Sequence, residues 1–365
     1  MTHYSTLFDK NYLTRGLALW ETLQQHTSDF RLHILCLDNF TYTYLCRRQL
    51  DNVELTPLSA LEDYYKELLT CKNNRNTVEY YFTLSPCFPL FLLEKHGQNL
   101  PYICSLDADL YFYDDPQVIL KNFNNHSILI TSHSFSPHLG KGWFTTGIFN
   151  VSFQAFRNDE TGLACLRYWK TQCVQWCYNY YDVLHNRFAD QKYLESFPEL
   201  YGDKLLVINS PTANVALWNV NQYKLTFKNG RVYSNDKPLV YYHFSNVKIL
   251  DNTLAQTGFY WAQTNLQSVL LNDIYLPYIH RIKLLNKLIF NKLGDPLSIT
   301  NSGKRFAGLR LAMRERGLLF TFDNLKFATH INFAWLHDMY DKYKQWTTKR
   351  EYTAVNNAKQ YEYEK

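Results

Sequence analysis

Two aspartates follow a short apolar segment near the end of the first third of the chain. Asp107 and Asp109 come directly after Tyr102–Leu106, a segment typical of a buried strand. Two carboxylates at the exit of such a strand are costly to desolvate unless a cation compensates their charge. Oxygen ligands suit Mg²⁺ or Mn²⁺, which proteins usually hold through one or two carboxylates together with substrate phosphates. The pattern therefore indicates a divalent-metal site, and an exposed turn or a helix cap is the alternative.

Other segments carry polar side chains where strands end or helices begin. His243 ends an apolar segment and offers a neutral imidazole as a third metal ligand, with a core histidine as the structural alternative. Asn150 lies on a strand-like segment, and Asp190 and Gln191 open a helical stretch. A polar and aromatic segment, 209–219, either lines a sugar pocket or is a loop anchored by a buried tryptophan.

The elements that must position these residues alternate between strand and helix patterns. Apolar spacing predicts helices over 12–25, 81–95 and 162–181, with Pro86 or Pro89 marking the start of the second. The predicted strands are 30–38, 52–58, 102–112, 127–131, 147–153, 205–208 and 239–243. Alternating strands and helices imply crossover units and a mostly parallel sheet, in which ligands collect at the carboxyl ends of the strands. The predicted fold class is therefore α/β.

Five motifs together resemble the GT-A class of nucleotide-sugar glycosyltransferases, particularly the branch of glycogenin and the bacterial lipopolysaccharide galactosyltransferases. The resemblance spans about residues 3–250. The motifs are Asp9-Lys10-Asn11-Tyr12, Leu106-Asp107-Ala108-Asp109, Thr146-Gly147-Ile148-Phe149-Asn150, Ala189-Asp190-Gln191 and Tyr242-His243-Phe244. The resemblance implies a GT-A-type, Rossmann-like sheet flanked by helices. It also implies a hexosyltransferase-type enzyme that moves a sugar from a nucleotide donor, such as a UDP-sugar, to an acceptor hydroxyl.

The resemblance also implies roles for individual residues. In that family the Asp-x-Asp carboxylates and the late histidine hold Mn²⁺ (or Mg²⁺), which binds the donor diphosphate. The corresponding residues here are Asp107, Asp109 and His243, and Lys248 corresponds to a phosphate-binding lysine. The nucleoside-binding residues are Asp9, Asn11 and Tyr12, and the sugar-binding or catalytic residues are Asn150, Asp190 and Gln191.

The chain departs from the family pattern at several positions. A glycine usual at the third position after the histidine is replaced by Asn246, and Lys248 comes one place early. An arginine common before the metal strand is not evident, and Arg75 is the nearest substitute. The resemblance favours retention of anomeric configuration, in which Asp190 or Gln191 only shields the reacting carbon. If the reaction inverts, a general base is needed, and Asp190 or Asp182 is the candidate.

Composition excludes several other classes of protein. The 29 tyrosines, 24 phenylalanines and 8 tryptophans exclude a disordered chain. A net charge of +5 is too small to indicate nucleic acid as a partner. The eight cysteines mostly stand in apolar surroundings and are expected to be buried, reduced thiols. Residues 1–10 lack the basic start and apolar run of a secretory signal, so we expect a cytoplasmic protein.

The last hundred residues differ from the rest. Between 279 and 316 there are nine lysines and arginines against two acids. This part is expected to be helical without further strong strands, which divides the chain into a catalytic domain, 1–260, and a helical, basic and aromatic region, 261–365. The basic stretch either packs on the catalytic domain or makes peripheral contact with anionic membrane lipids.

Two alternative functions remain open at this stage. One is a catalytically inactive relative that binds carbohydrate or nucleotide, or acts as a scaffold. The other is a nucleotidyltransferase, which would need a Gly-rich phosphate loop near the first strand. The acceptor of a glycosyltransferase could be a polysaccharide, as in polysaccharide biosynthesis, a lipid-linked glycan or a protein.

Overall fold

The structure is a computed structural model. It describes residues 1–139, 143–251, 254–259 and 262–296, and the backbone of the strands at 317–322 and 327–332. The strands are β1 (Thr2–Phe8), β2 (Phe30–Cys36), β3 (Val53–Pro57), β4 (Tyr102–Leu106), β5 (Leu110–Phe112), β6 (Ile128–Ser132), β7 (Phe149–Arg157), β8 (Leu205–Ile208), β9 (Val215–Ala216), β10 (Leu225–Lys228), β11 (Arg231–Ser234), β12 (Lys237–Pro238), β13 (Tyr241–His243), β14 (Lys248–Ile249), β15 (Leu254–Gln256), β16 (Gly317–Phe322) and β17 (Phe327–Asn332).

Helices separate most of the strands of the first two hundred residues. The α-helices are α1 (Leu13–His26), α2 (Asn39–Arg48), α3 (Leu58–Tyr64), α4 (Glu67–Asn74), α5 (Thr77–His96), α6 (Gln117–Leu120), α7 (Trp143–Thr146), α8 (Glu160–Gln175), α9 (Phe197–Tyr201) and α10 (Leu276–Phe290). Short 3₁₀-helices cover Gly97–Asn99, Phe123–Asn125, Pro137–Leu139, Gln191–Ser196, Gly202–Lys204 and Val220–Gln222, and a π-helical turn, Leu270–Tyr275, precedes α10.

A seven-stranded sheet forms the centre of the molecule, in the order β3-β2-β1-β4-β7-β6-β8. Neighbouring strands are parallel except where β7 pairs with β4 and β6, so β7 alone is reversed. The predicted α/β class with a mostly parallel sheet flanked by helices is confirmed. Because β1 and β4 are parallel neighbours, the segments that follow them lie at the same edge of the sheet.

The two faces of this sheet are covered by different apolar cores. On β4 the side chain of Cys104 joins the core that includes α1 and α10, whereas Ile103 joins the core that includes α5 and α8. The same alternation on β6 separates Leu129 from Ile128 and Ile130. Successive side chains of these strands point to opposite faces of the sheet, and both faces are covered. The strands therefore appear in the sequence as continuous apolar segments.

The predicted strand 102–112 is in fact two strands in different sheets. β4 belongs to the main sheet, and β5 belongs to a three-stranded sheet with β13 and β9. Asp107 to Asp109 form the turn between them. The sequence hid the break because Leu110 and Phe112 are as apolar and buried as the residues of β4.

Two predicted helix boundaries were wrong. α5 begins at Thr77 rather than at a proline, because Asn76 and Glu79 form a reciprocal capping box, and both Pro86 and Pro89 lie inside the helix. α8 ends at Gln175, so the aromatic residues up to 181 lie beyond it.

The C-terminal part contains the predicted helix and also strands. In α10 the side chains of Ile279, Ile282 and Leu285 are buried, and the helix packs against α1. The expectation of no further strong strands after 260 was wrong, since β16 and β17 form an antiparallel sheet with β14 and β15. The rest of the basic stretch, 297–316, lies outside the described residues, and so does any surface that it forms.

Two general expectations can be compared directly with the structure. Seven of the eight cysteines are buried, as predicted, and Cys46 is exposed. Among the described residues, no helix combines the length and the apolar character that crossing a membrane requires.

Candidate functional site

Asp107, Asp109 and His243 come together at the carboxyl end of β4. His243 is the last residue of β13 and lies opposite Leu110 of β5, so pairing of the two strands brings the imidazole over the turn. Its Nε2 is 3.2 Å from Oδ1 of Asp109 and 3.7 Å from Oδ2 of Asp107. One ligand atom from each residue lies within 4.8 Å of the others. The structure therefore brings together the three residues that were predicted to hold a metal.

Burial and mutual repulsion shift the proton affinities of these three groups. Burial, with the nearby charges of Asp109 and Asp190, raises the pKa of Asp107 to about 7 against the attraction of His243. Burial would also raise the pKa of Asp109, but the His243 imidazole and the Arg15 guanidinium hold it below its ordinary value. Burial would lower the pKa of His243, and the two carboxylates raise it instead. The protein alone thus compensates the charge of Asp107 incompletely.

Trp218, in the predicted polar and aromatic segment at 209–219, packs against the ring of His243. The Trp218 ring meets the imidazole edge-on, with centroids 5.2 Å apart. Its indole N–H donates to the backbone carbonyl of His133 at 3.0 Å, and Asn219 Nδ2 donates to the same carbonyl at 2.9 Å. Trp218 is buried, so the tryptophan anchors this segment, which includes β9, and packs against the histidine; a role in lining a sugar pocket stays a prediction.

Asp190 places a second buried acid beside the three-residue cluster. Its side chain is 2% exposed, and its Oδ2 has no hydrogen-bond partner among the described residues. Burial raises the pKa of Asp190 to about 6, although hydrogen bonds from Ser85 and nearby backbone amides oppose the rise. The preceding Ala189 has a left-handed backbone with φ of 46°, which is unusual for a residue with a side chain. An unsatisfied acid after a strained residue is typical of a functional position.

Gln191 begins the 3₁₀-helix that follows Asp190. Its Nε2 donates to the backbone carbonyl of Thr146 at 2.8 Å, which joins this helix to the segment before β7. The side chain is half-buried. Gln191 therefore lies next to Asp190 with one of its amide hydrogens already used.

The opening segment lies at the end of β1, next to β4. Both oxygens of Asp9 accept hydrogen bonds from Asn11, one from its backbone and one from its side chain, and Tyr81 Oη is 3.3 Å from Asp9 Oδ2. The Tyr12 ring is 43% exposed and packs under the guanidinium of Arg15 at 4.9 Å. An exposed aromatic ring thus lies near the acidic cluster, whereas Asp9 mainly holds the turn.

Two predicted residues are positioned less favourably for direct contact with a donor. Asn150 is buried, its Nδ2 is 3.1 Å from Nε2 of His133, and its Oδ1 accepts from the amide of Ser152. Lys248 is exposed on β14, and within the described part of the chain no contact joins its amine to the acids. These two roles remain predictions.

Arg15 is a residue of this site that the sequence analysis missed. It is buried, and its guanidinium donates to both carboxylate oxygens of Asp295, at 2.8 and 3.3 Å, and to the carbonyl of Val247 at 2.8 Å. Asp295 also accepts from the amide of Ile249 and from Asn286 of α10. The sequence contained one indication that Asp295 has a special role, because it is the single acid among the basic residues from 279 to 314.

Arg75, considered earlier as a substitute for the missing arginine, is committed elsewhere. Its guanidinium donates to Thr83 Oγ1 at 2.6 Å and to the carbonyl of Val174 at 2.7 Å, and stacks over Tyr178. It therefore joins α5 to α8. Arg15 is instead the cation that acts on Asp109.

Comparison with solved structures finds glycosyltransferases of similar fold. Mouse xyloside xylosyltransferase 1 in its apo form is 13% identical, with a TM-score of 0.43 over 67% of this chain and 97% of that chain. The galactosyltransferase LgtC, in complex with donor and acceptor sugar analogues, is 13% identical, with a TM-score of 0.44 over 67% of this chain and 87% of that chain. Because these scores are below 0.5, the fold assignment rests on the sheet order described above.

Comparison of sequences finds two relatives in Bacillus subtilis (strain 168), and no family model matches the chain. The "Uncharacterized protein YfnD" is 32% identical over 281 residues, which are 77% of this chain and 88% of the relative. The "Uncharacterized protein YfnF" is 32% identical over 254 residues, which are 68% of this chain and 82% of the relative. Identity at this level over most of both chains shows common descent, and the chain belongs to the same family as YfnD and YfnF.

Proposed function

We propose that the chain is a divalent-metal-dependent glycosyltransferase that uses a nucleotide sugar, with a UDP-sugar as the first donor to test. The observation that carries the proposal is the convergence of Asp107, Asp109 and His243 at the carboxyl end of β4. In open parallel sheets ligands bind outside the carboxyl ends of the strands, often where the strand order changes direction. Here the order changes between β1 and β4.

The ligand atoms fit a cation of the Mn²⁺ or Mg²⁺ type. Two carboxylates and one imidazole supply hard oxygen ligands and one nitrogen, a set that leaves positions for the phosphates of a nucleotide. The raised pKa of Asp107 supports this fit, because a divalent ion would relieve the repulsion that the protein leaves. When bound, such an ion stabilises the charge of a departing nucleoside diphosphate and orients it.

The chain's own residues would hold the donor at both ends. The exposed ring of Tyr12 offers a flat face for a base or ribose, with Asp9 and Asn11 shaping the turn beside it. Lys248 would reach the phosphates only if its side chain turns inward. Asp190 and Gln191 would face the sugar, where a buried carboxylate with a free oxygen can accept from a sugar hydroxyl.

The position of Asp190 bears on the stereochemistry. Retention needs no protein base if the departing diphosphate takes the proton of the acceptor hydroxyl. In that case Asp190 stabilises positive charge at the anomeric carbon. Inversion would require a base. Asp190 would then have to serve, because Asp182 is engaged on the surface by Arg187 and His185, each at 2.8 Å. We propose retention, with a polysaccharide, a lipid-linked glycan or a protein as the acceptor.

The architecture supports one extension of the proposal. Residues 1–260 would form the catalytic domain, and the region from 261 would complete it, because α10 packs on α1 and Asp295 pairs with Arg15. Peripheral membrane contact through 279–316 has less support within the described residues. Arg281 pairs with Glu21, and Lys283 is buried, so of the cations on α10 only Lys287 is exposed.

Calorimetry of UDP binding with and without Mn²⁺ tests the proposal. Wild type should bind UDP only with the metal, Asp109→Asn should lose this binding, and Asp182→Asn should keep it as a matched surface carboxylate variant. A screen of nucleotide sugars for metal-dependent hydrolysis then identifies the donor. Absence of nucleotide binding would contradict the proposal, and binding without hydrolysis or transfer would favour an inactive relative. Release of pyrophosphate from a nucleoside triphosphate would favour a nucleotidyltransferase.

A further inference from the structure

A second group of histidines lies on the sheet face that packs against α5. His3 is on β1, His33 is on β2, Glu54 is on β3, and His96 is the last residue of α5. His33 is level in the register with Ser5 of β1 and Ser105 of β4, so its Cα lies two strands to the side of Asp107 and two residues before it, a separation of about 12 Å. It is therefore separate from the site of the proposed function and does not depend on it.

Parallel pairing of the strands brings the group together. His33 and Glu54 are direct partners in the register of β2 and β3. Nδ1 of His33 is 3.5 Å from Oε2 of Glu54, and Nε2 of His96 is 3.8 Å from Oε1 of the same carboxylate. The three ligand atoms lie within 4.8 Å of one another. Ligands bound tetrahedrally to one ion at about 2.0–2.2 Å are about 3.3–3.6 Å apart, so the ligand atoms would move together by at most about 1.5 Å on binding.

Two ring nitrogens in this group are buried without a partner. Nδ1 of His33 and Nε2 of His96 have no hydrogen-bond partner among the described residues, and His33 is 2% exposed. An unsatisfied buried nitrogen costs free energy, and two in one cluster need an explanation. The other nitrogen of His33, Nε2, is 3.0 Å from Nδ1 of His3, so one hydrogen bond orients the ring and directs Nδ1 toward Glu54.

We propose that His33, His96 and Glu54 form a site for a transition metal ion of the Zn²⁺ type, with His3 as the residue that orients His33. Imidazole nitrogens with one carboxylate are a ligand set that suits zinc. A histidine ligand commonly donates its second N–H to a neighbouring acceptor, and His3 Nδ1 is placed to accept from His33 Nε2. The helix C-terminus at His96 also favours positive charge.

The proton affinities of the rings agree with this assignment. Burial, followed by the nearby charges of His3, His96, Arg31 and Lys95, lowers the pKa of His33 to about 3. Burial also lowers the pKa of His3. His33 is therefore neutral at physiological pH, the form in which imidazole binds a metal.

The consequence for the fold is a cross-link between elements far apart in sequence. The ligands come from β2, β3 and the end of α5, so a bound ion would join the edge of the main sheet to the longest helix on that face. Such a site would stabilise the fold, and the reacting groups at the carboxyl end of β4 would not take part.

Binding of Zn²⁺ and Co²⁺ to full-length, metal-free protein tests the inference. All variants are made in the Asp109→Asn protein, so that metal bound at the acidic cluster does not contribute to the measured binding. This protein should bind one equivalent of Zn²⁺ and raise its melting temperature by about 4 °C at a hundredfold excess over Kd. Co²⁺ in the same protein should give the strong visible absorption of a tetrahedral site. Adding Glu54→Gln or His96→Asn should remove the absorption, and His3→Gln should weaken binding about ten- to hundredfold.

The controls separate loss of the site from loss of the fold. His185→Asn changes an exposed histidine in a surface turn and should leave binding unchanged. Glu54 is partly exposed, so Glu54→Gln should fold, which circular dichroism checks. The inference would be overturned if Asp109→Asn protein bound no Zn²⁺, or if binding and the Co²⁺ spectrum were the same in Glu54→Gln and His96→Asn.

Discussion

The two histidine-containing clusters of the molecule are built in different ways. The first, Asp107, Asp109 and His243, lies in a turn between two sheets, and Asp107 is 38% exposed at its side chain. The second, His33, Glu54 and His96, lies on one face of the main sheet around a fully buried ring. The first is rich in oxygen and lies at the carboxyl end of a central strand, whereas the second is rich in nitrogen and has one buried and two partly exposed ligands. Ligand type and place in the sheet thus separate a site suited to chemistry from one suited to structure.

The largest expected effect comes from changing one ligand in each cluster. Asp109→Asn should reduce metal-dependent sugar transfer or donor hydrolysis by at least about a thousandfold, because the carboxylate is needed to hold the metal that binds the diphosphate. Glu54→Gln should leave the turnover of folded protein near that of wild type. Turnover at saturating Mn²⁺ and donor measures both.

The reverse experiment completes this comparison. Zn²⁺-dependent stabilisation should be lost in Glu54→Gln and kept in Asp109→Asn. Equal loss of turnover in the two variants would show that the clusters are not independent, and the assignment of separate roles would then be wrong.

A second prediction separates holding the donor from reacting with it. Asp190→Asn should reduce turnover about a hundred- to a thousandfold while the affinity for UDP with Mn²⁺ stays within about threefold of wild type, because in our proposal Asp190 contacts the sugar and not the diphosphate. Single-turnover kinetics and calorimetry on the same preparation measure the two quantities. A parallel loss of UDP affinity would instead place Asp190 with the metal-binding residues.

A third prediction concerns the cation behind the acidic cluster. Asp295→Asn removes the charge that pairs with the buried Arg15, so the free energy of unfolding should fall by about 3 kcal/mol. Asp63→Asn breaks an exposed ion pair with Lys66 and should cost less than about 1 kcal/mol. Urea unfolding compares the two variants, and equal small losses would contradict a structural role for the Arg15–Asp295 pair.

The two clusters also differ in how far the sequence could predict them. Asp107 and Asp109 stand together after an apolar strand, and His243 matches a family motif. The sequence alone could therefore assign all three residues to one site. His33, Glu54 and His96 are separated by 21 and 42 positions. The parallel register of β2 and β3 brings His33 and Glu54 together, and the packing of α5 adds His96, so no local pattern indicates the cluster.

The parts of the fold that were mispredicted have related causes. The break between β4 and β5 is marked in the sequence only by Asp107 and Asp109, because the apolar residues on both sides are buried alike although they belong to different sheets. Arg15 and Asp295 are 280 residues apart, so their pairing depends on α10 packing against α1. Local patterns specify elements well, whereas contacts between distant elements depend on tertiary packing.

The smallest expected effect is a difference in pH dependence between the clusters in metal-free protein. His33 has a pKa of about 3 when folded and about 6.5 when unfolded, so the unfolded chain binds more protons between these values. Its contribution should therefore reduce the free energy of unfolding by about 2 kcal/mol as the pH falls from 7 to 5. Asp107 has a raised pKa, so protonation of the folded state stabilises the protein over the same range.

Urea unfolding in the presence of a chelator at pH 7 and pH 5 distinguishes these opposite contributions. His33→Asn should make the protein lose less stability on acidification than wild type, and Asp107→Asn should make it lose more. The comparison uses the change between the two pH values within each variant, so a constant cost of either substitution cancels. If the His33→Asn variant lost as much stability as wild type between pH 7 and pH 5, the histidine would not be buried and neutral in the folded chain. The burial assigned to the central ring of the second cluster would then be wrong.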